Sequence, residues 1–186
     1  MLRIVADTES QTETDTDIDV RLETVLEHMR LENAHDFPAC AAKFGKAKYE
    51  VPSDDIVYDG VDAVVGFLDE NKAAFPDFHF EPTRVSPSTE VVVVEGRFRG
   101  THLGLWRGLP PTGRTVDFPM CLVFEFEGDS MVSEIIYMDL ATPLQQLGVA
   151  FNPDSVQFKL FTAVTHPITL GRAVVDGLRG RFRRKT

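Results

Sequence analysis

The chain is poor in cysteine and in long apolar runs, and each shortage excludes a class of protein. Two cysteines in 186 residues are too few for a disulfide framework. No apolar stretch is long enough to cross a bilayer. The first residues lack the basic and then apolar pattern of a secretory signal. We therefore expect a cytoplasmic protein.

Basic residues are also scarce, because 19 Lys and Arg stand against 29 Asp and Glu, giving a formal net charge of −10. A nucleic-acid partner requires a concentrated basic face, so we expect none. The five histidines show no paired spacing of the kind that holds a metal, and the LPPTGR loop lacks the lysine of a phosphate cradle. The sequence thus predicts no dedicated metal site and no phosphate cradle.

Charge and hydropathy divide the chain into three parts. Residues 1–16 are acidic and predicted to be disordered, residues 17–148 form the folded domain, and residues 149–186 form a C-terminal helical extension. In that extension Leu170 and Val174 begin a four-residue apolar spacing beside several arginines. We interpret it as a helix that docks on its own domain or on a second subunit. A membrane-surface anchor is the alternative, and we do not expect membrane association.

Within the domain, helical patterns come first and strand patterns follow. Long period-two runs connected by a few residues indicate antiparallel neighbours, so this order predicts an α+β fold. Asp139 is expected to cap the last helix of the domain. One predicted helix begins at the Asp17 cap, a second covers residues 37–44, a third carries an apolar stripe from Val64 to Phe75 and ends at Pro76, and a fourth runs from the Asp139 cap to Gln146. The predicted strands span residues 47–51, 56–58, 78–85, 91–102, 115–127 and 131–138.

The strand over residues 115–127 presents one apolar face that includes Met120, Leu122 and Phe124. Such a wall beside one ionisable group is typical of a site that binds an apolar small molecule and moves a proton on it. Glu134, on the next strand, is that group. Burial against the wall would disfavour its charged form and suit it to act as a base near neutral pH.

Strand register decides whether Glu134 faces this wall. A three-residue loop at residues 127–129 would place Leu122 opposite Glu134 and Met120 opposite Ile136, on the cavity side. A two-residue loop at residues 128–129 would pair Glu134 with Val123 on the other face. Both registers fit the residues alone.

Several segments resemble the SnoaL-like polyketide cyclases, also called ester cyclases, of the nuclear transport factor two-like superfamily. The segments are LENAHDFPACAAKF, AAFPDFHFE, RGTHLGLWRGLPPTGRTVDF and YMDLATPLQQLG, within residues 20–148. The resemblance implies a cone-shaped α+β fold with a deep apolar pocket between a curved antiparallel sheet and its helices. It also implies a cofactor-free intramolecular aldol cyclisation and favours the register that turns Glu134 inward.

The chain departs from the family at the residues that carry this chemistry. The family's base is the Asp of a His-x-Asp pattern, and the corresponding positions hold Glu134 and Ile136. Two polar pocket positions correspond to Met120 and Leu122. A binding module without catalysis is therefore an alternative to a cyclase or isomerase, and a structural dimer with a vestigial cavity is a third possibility.

We expect Glu134 to move the proton and His102 to polarise a ligand oxygen, although His102 could equally hold the adjacent loop. Trp106 could form a lid, and Tyr58 and His28 lie on elements that could reach the cavity, in registers that the sequence leaves open. The expected partners are a small apolar carbonyl-bearing molecule and a second copy of the chain in a homodimer. The predicted pocket residues are Met120, Leu122, Phe124, Ile136, Trp106 and Tyr58.

Overall fold

The computed structural model describes residues 3–4, 13–168 and 171–172. The chain divides after Leu147 into two compact units. The predicted disorder of residues 1–16 falls largely outside the described residues, and so does most of the predicted C-terminal basic helix. Within the described residues, no helix combines the length and the apolar content that a bilayer span requires.

The first unit is an α+β domain, as predicted, with helices before and after the long strands. Its helices are α1 (Glu13–Asn33), α2 (Phe37–Ala41), α3 (Val61–Ala74) and α4 (Ala141–Gln146). Its strands are β1 (Arg3–Ile4), β2 (Lys48–Val51), β3 (Ile56–Asp59), β4 (His79–Pro87), β5 (Val91–Thr101), β6 (Thr115–Glu127) and β7 (Ser130–Met138). The second unit contains α5 (Val156–Thr165), within the stretch of residues 149–186 that the sequence analysis interprets as a helical extension.

The strands form one curved, open sheet in the order β1, β4, β5, β6, β7, β2, β3. Strands β4 to β7 are an antiparallel meander, and β2 returns to pair with β7 in parallel. The helices bury their apolar stripes against one face of this sheet. There Val25 and Met29 of α1 and Leu68 of α3 join Leu122 and Ile136 in one core.

Helix α1 is tied to the sheet at two points, so the residues between them are held in place. Arg21 is 8% exposed and donates from Nη2 to the Gly128 carbonyl at 2.9 Å, and a second bond reaches Thr89. Near the other end, the Asn33 side-chain amide donates to the Phe80 carbonyl at 2.8 Å and accepts from the Phe80 N–H at 2.8 Å. The first anchor uses carbonyl groups of two exposed hairpin turns, and the second uses both backbone groups of the buried Phe80 in β4.

The β6–β7 hairpin starts with a two-residue loop but does not keep that register. Glu127 pairs with Ser130, and after an irregularity the partner of Phe124 is Glu134. One extra residue on β7, a β-bulge at Val132, changes which face the following residues present. Neither predicted register is therefore correct, since Leu122 lies opposite Ile136. The inward face predicted for Glu134 is nonetheless confirmed, because Glu134 is 1% exposed and lines the cavity.

Asp139 acts as the helix cap that the sequence predicts. Its carboxylate accepts from the Ala141 N–H at 2.9 Å and from the Thr142 hydroxyl at 2.7 Å. These bonds lower the pKa of Asp139, with the Thr142 bond the larger cause. Such a cap satisfies backbone donors in the first turn of α4, and it leaves Asp139 without the basicity that a proton acceptor needs.

Candidate functional site

A narrow cavity lies between the helices and the inner face of the sheet. Its volume is about 60 Å³, which is room for only a few waters at roughly 10–15 Å³ each. Seven aromatic side chains and two carboxyl groups, Glu32 and Glu134, contribute to its wall. The aromatic residues are Phe67, Phe75, Phe78, Phe80, Phe98, Trp106 and Phe118.

Glu134 is placed by the sheet itself. It lies on β7 between Phe124 of β6 and Tyr49 of β2, which are its direct strand partners. Both neighbours are fully buried, so the Glu134 carboxyl group lies on a part of the sheet that bulk water does not reach. A buried carboxyl group needs hydrogen-bond partners to offset the loss of hydration.

His28 of α1 supplies the main partner. Its Nε2 lies 3.1 Å from Oε2 of Glu134, and its Nδ1 lies 3.2 Å from the Cys40 carbonyl oxygen. Burial lowers the pKa of His28, but the bonds to Cys40 and Glu134 and the charge of Glu134 together outweigh burial and raise it well above 6.5. An imidazolium at neutral pH can donate from both ring nitrogens, which matches the two contacts.

Glu32 lies one helical turn after His28 on the same face of α1. Its Oε2 is 3.7 Å from Nε2 of His28, and its side chain is 19% exposed. Burial and the nearby charge of Glu134 raise the pKa of Glu32 to about 8, against a smaller opposing effect of His28. Glu32 is therefore largely protonated at neutral pH and can donate a hydrogen bond into the cavity.

Tyr49 and Cys40 complete the cluster around the imidazole. The Tyr49 hydroxyl oxygen is 3.0 Å from Nε2 of His28, and burial followed by the charge of Glu134 raises the pKa of Tyr49 well above 10. Burial also raises the pKa of the Cys40 thiol. Both groups stay protonated at neutral pH, so the Tyr49 hydroxyl oxygen can accept from the His28 Nε2–H, and Cys40 is a poor nucleophile.

His28, Glu32 and Cys40 present potential ligand atoms within 4.8 Å of one another. Sequence spacing does not predict this cluster, because it contains no pair of histidines. Both ring nitrogens of His28 already have partners, and a thiol must lose its proton to bind a metal. These donors already have partners within the cluster.

The structure brings most of the predicted site residues together. Phe124 is not among the residues that line the inner cavity, and its ring centroid lies 5.5 Å from that of His28. Tyr58 lines a neighbouring outer cavity instead. The predicted residues that line the inner cavity are Glu134, Met120, Leu122, Ile136 and Trp106.

His102 is fully buried behind the cavity wall, where its ring lies 5.2 Å from that of Phe75. Its Nδ1 accepts from the Thr112 N–H at 3.2 Å, which assigns the ring proton to Nε2. Burial lowers the pKa of His102, and its Nε2 has no partner among the described residues. His102 is not among the residues that line the inner cavity, so its role in polarising a ligand oxygen stays a prediction.

Glu32 and Tyr49 are the residues that sequence reasoning missed. One signal was available for Glu32, because its spacing from His28 places both on the apolar stripe of α1 with Val25 and Met29. Tyr49 was harder to identify from the sequence, because it lies in a strand of only four residues. Its position beside Glu134 depends on a parallel pairing of strands that are far apart in the sequence.

A family model described as SnoaL-like polyketide cyclase matches residues 18–147. The chain belongs to this family. The match covers α1 to α4 and so includes every residue of the cavity described above. No curated protein matches the chain.

Solved structures with the same fold come from several bacteria. A phenazine biosynthesis-related protein from Pseudomonas aeruginosa has a TM-score of 0.66 at 16% identity, covering 80% of this chain and 93% of that one. A SnoaL-like polyketide cyclase from Agrobacterium tumefaciens has a TM-score of 0.57 at 20% identity, covering 69% and 98%. A protein with a ketosteroid isomerase-like fold from Catenulispora acidiphila, in complex with trimethylamine, has a TM-score of 0.58 at 19% identity, covering 70% and 98%.

These identities are low, so the likenesses establish the fold and not a shared reaction. The printed descriptions of the three structures also differ from one another. The chemistry of this chain must therefore be argued from its own residues.

Proposed function

We propose that the chain binds a small apolar carbonyl-bearing molecule in the aromatic cavity and catalyses proton transfer on it without a cofactor, as a cyclase or isomerase of the intramolecular aldol type. The observation that supports this most is the pair of carboxyl groups in one apolar cavity, Glu32 and Glu134, with different surroundings. Two acids held in different protonation states can serve as the acid and the base of one reaction.

Glu134 acts as the base. It removes a proton from a carbon next to a carbonyl group, and the electron pair of that C–H bond forms an enolate. The protonated Glu32 donates a hydrogen bond to the enolate oxygen as negative charge develops there. His28 orients the Glu134 carboxylate throughout, and the Tyr49 hydroxyl contacts the same His28 nitrogen.

The enolate carbon then attacks a second carbonyl carbon of the same molecule, forming the ring bond. The proton held by Glu134 returns to the new alkoxide oxygen, so no proton is gained or lost overall. In an isomerisation the same proton returns to a different carbon.

This assignment accommodates the departure from the family pattern. Ile136 occupies the position that the resemblance assigns to the family's Asp, and Glu134 lies two residues earlier on the same strand face. The carboxyl group is thus still inside the cavity, at a different depth. Glu32 supplies the hydrogen-bond donor that Met120 and Leu122 cannot provide.

The alternative function is a binding module without catalysis. It is favoured by the hydrocarbon side chains of Met120, Leu122, Ile136 and Met138, which line the cavity where a cyclase would need polar groups. In that case Glu32 and Glu134 would only hold a polar group of the ligand.

Exchange of carbon-bound protons separates the two functions. Cyclohexanone is an apolar one-ring ketone suited to the cavity, and in D₂O its α-proton NMR signals disappear as exchange proceeds. We expect the protein to accelerate this exchange and Glu134→Gln to reduce the acceleration by roughly 100-fold or more. Binding of cyclohexanone, measured by ligand-observed NMR, should persist in the Gln variant.

The matched control is Glu127→Gln, which removes an exposed carboxyl group from the end of β6. It should exchange cyclohexanone as fast as the parent chain. Binding without any acceleration in the parent chain would support the binding module. Equal acceleration by the parent and by Glu134→Gln would refute Glu134 as the base.

A further inference from the structure

A second, larger cavity lies outside the first. Its volume is about 470 Å³, and its lining includes Asp54, Tyr58 and Glu70. Both cavities share four residues of one wall: Phe67, Asn71, Trp106 and Arg107. The side chains of this wall therefore control passage from the outer cavity to Glu32 and Glu134.

Trp106 sits at the start of a tight turn in this wall. Its N–H donates to the Leu109 carbonyl at 3.0 Å, and the Leu109 N–H donates back at 2.8 Å. The two residues between them, Arg107 and Gly108, both have positive φ angles of 52° and 78°. A turn of this kind favours Asn-Gly or Gly-Gly, and an arginine at its first position is strained.

The Arg107 side chain makes contacts that offset this strain. Its guanidinium donates from Nη1 to Oδ1 of Asp54 at 2.7 Å, and a second bond joins Nη2 to the other carboxylate oxygen. The guanidinium carbon also lies 5.2 Å from the centre of the Trp106 ring. The Asp54 side chain is 11% exposed, so the pair is better shielded from solvent than an ordinary surface ion pair.

Asp54 itself is fixed by the turn between β2 and β3, where its N–H donates to the Val51 carbonyl at 3.0 Å. The loop that carries Trp106 is held at its base by other bonds, from the N–H groups of Leu103 and Gly104 to the Ala74 carbonyl. The bonds from Arg107 to Asp54 thus connect the tip of the loop to a second part of the sheet.

We propose that Asp54 is a positioning residue that, through Arg107, holds Trp106 closed between the outer and inner cavities. Breaking the ion pair releases the strained turn and lets Trp106 swing away from the inner cavity. Strained backbone conformations persist where surrounding contacts hold them, and they occur often at sites that must move. The proposal rests on the proposed function only in that a ligand must pass Trp106 to reach Glu134.

Quenching of tryptophan fluorescence by acrylamide tests this without any ligand. Trp106 is the single tryptophan of the chain and is 9% exposed, so the signal reports on it alone. Acrylamide is uncharged, so a change in local charge does not alter its concentration near the site. We expect Asp54→Asn to increase the bimolecular quenching constant several-fold.

Asp55→Asn is the matched control, because it removes the same charge one residue away. Asn tolerates the positive φ of 56° at that position. Its quenching constant should equal that of the parent chain. The reversed pair, Asp54→Arg with Arg107→Asp, should restore most of the protection if the ion pair is the cause.

A second variant keeps the test decisive if Asp54→Asn unfolds. Arg107→Gly removes the pair and suits the positive φ of the turn, so it should fold and show the same increase in quenching. Quenching constants equal to the parent value in Asp54→Asn or in Arg107→Gly would overturn the proposal. Neither result depends on cyclohexanone exchange, so failure here leaves the proposed function standing, and the reverse also holds.

Discussion

Replacing Glu32 by Gln should change how stability depends on pH. Glu32 has a pKa of about 8 in the folded chain against 4.5 for an ordinary glutamate. Between these values the folded state binds more protons than the unfolded state, so the free energy of unfolding falls as pH rises. The full difference between the two pKa values corresponds to a loss of about 5 kcal/mol in the free energy of unfolding, at about 1.4 kcal/mol per pKa unit.

Solvent screening reduces this effect, because 19% of the Glu32 side chain is exposed. We expect the free energy of unfolding of Glu32→Gln, taken relative to that of the parent, to be higher at pH 9 than at pH 5 by about 2–3 kcal/mol. His28 contributes in both proteins with the same sign, since its raised pKa adds stability that is lost as pH rises through the folded value. Comparison of the two proteins therefore isolates Glu32.

Urea unfolding followed by Trp106 fluorescence at pH 5 and pH 9 measures the difference. Glu23→Gln, which removes an exposed carboxyl group from the same helix, is the control and should track the parent at both pH values. A Glu32→Gln variant whose stability relative to the parent is the same at pH 5 and pH 9 would refute the raised pKa.

Four further variants test the ion pair and the packing. His28→Leu should destabilise the chain by about 3–5 kcal/mol because it leaves Glu134 buried without its main partner, and a His28→Leu, Glu134→Leu double variant should recover much of that loss in urea unfolding. Gly96→Ala should cost about 1–3 kcal/mol, because a Cβ there would meet Phe80 at 2.3 Å, whereas Gly66→Ala, with open space around it, should stabilise α3 by up to about 1 kcal/mol. Thermal melts that rank the two glycine variants in the opposite order would contradict the packing described for Phe80.

The order of elements could be predicted from the sequence because each long strand and helix carries its own periodicity. Period-two runs located β4 to β7, and the capping chemistry of Asp139 located the start of α4. The start of α1 was placed at Asp17 and lies at Glu13. Helix ends are set by weak local preferences, so such differences are expected.

The face of Glu134 could be predicted, whereas its register could not. The loop at residues 128–129 and the bulge at Val132 each shift the pairing by one residue, and no turn residue marks the bulge. The register of β6 against β7 is set by the packing of all the side chains on the inner face of the sheet.

The contacts of Glu134 with its partners could not be predicted, because the partners come from distant parts of the chain. His28 and Tyr49 are 106 and 85 residues away, and only the fold brings α1 and β2 to β7. Conversely, His102 is conspicuous in the sequence, because it lies in the GTHLG segment at the end of β5. Its ring nevertheless turns toward Thr112 in its own loop. A local motif does not show which way a side chain points.

The pH dependence of cyclohexanone exchange tests most directly whether Glu32 and Glu134 act as acid and base in one cavity. We expect the rate in the parent chain to fall above about pH 8 by about ten-fold per pH unit, as Glu32 loses its proton. In Glu32→Gln this decline should be absent, and in Glu134→Gln only background exchange should remain at every pH. An identical decline in the parent chain and in Glu32→Gln would contradict the account.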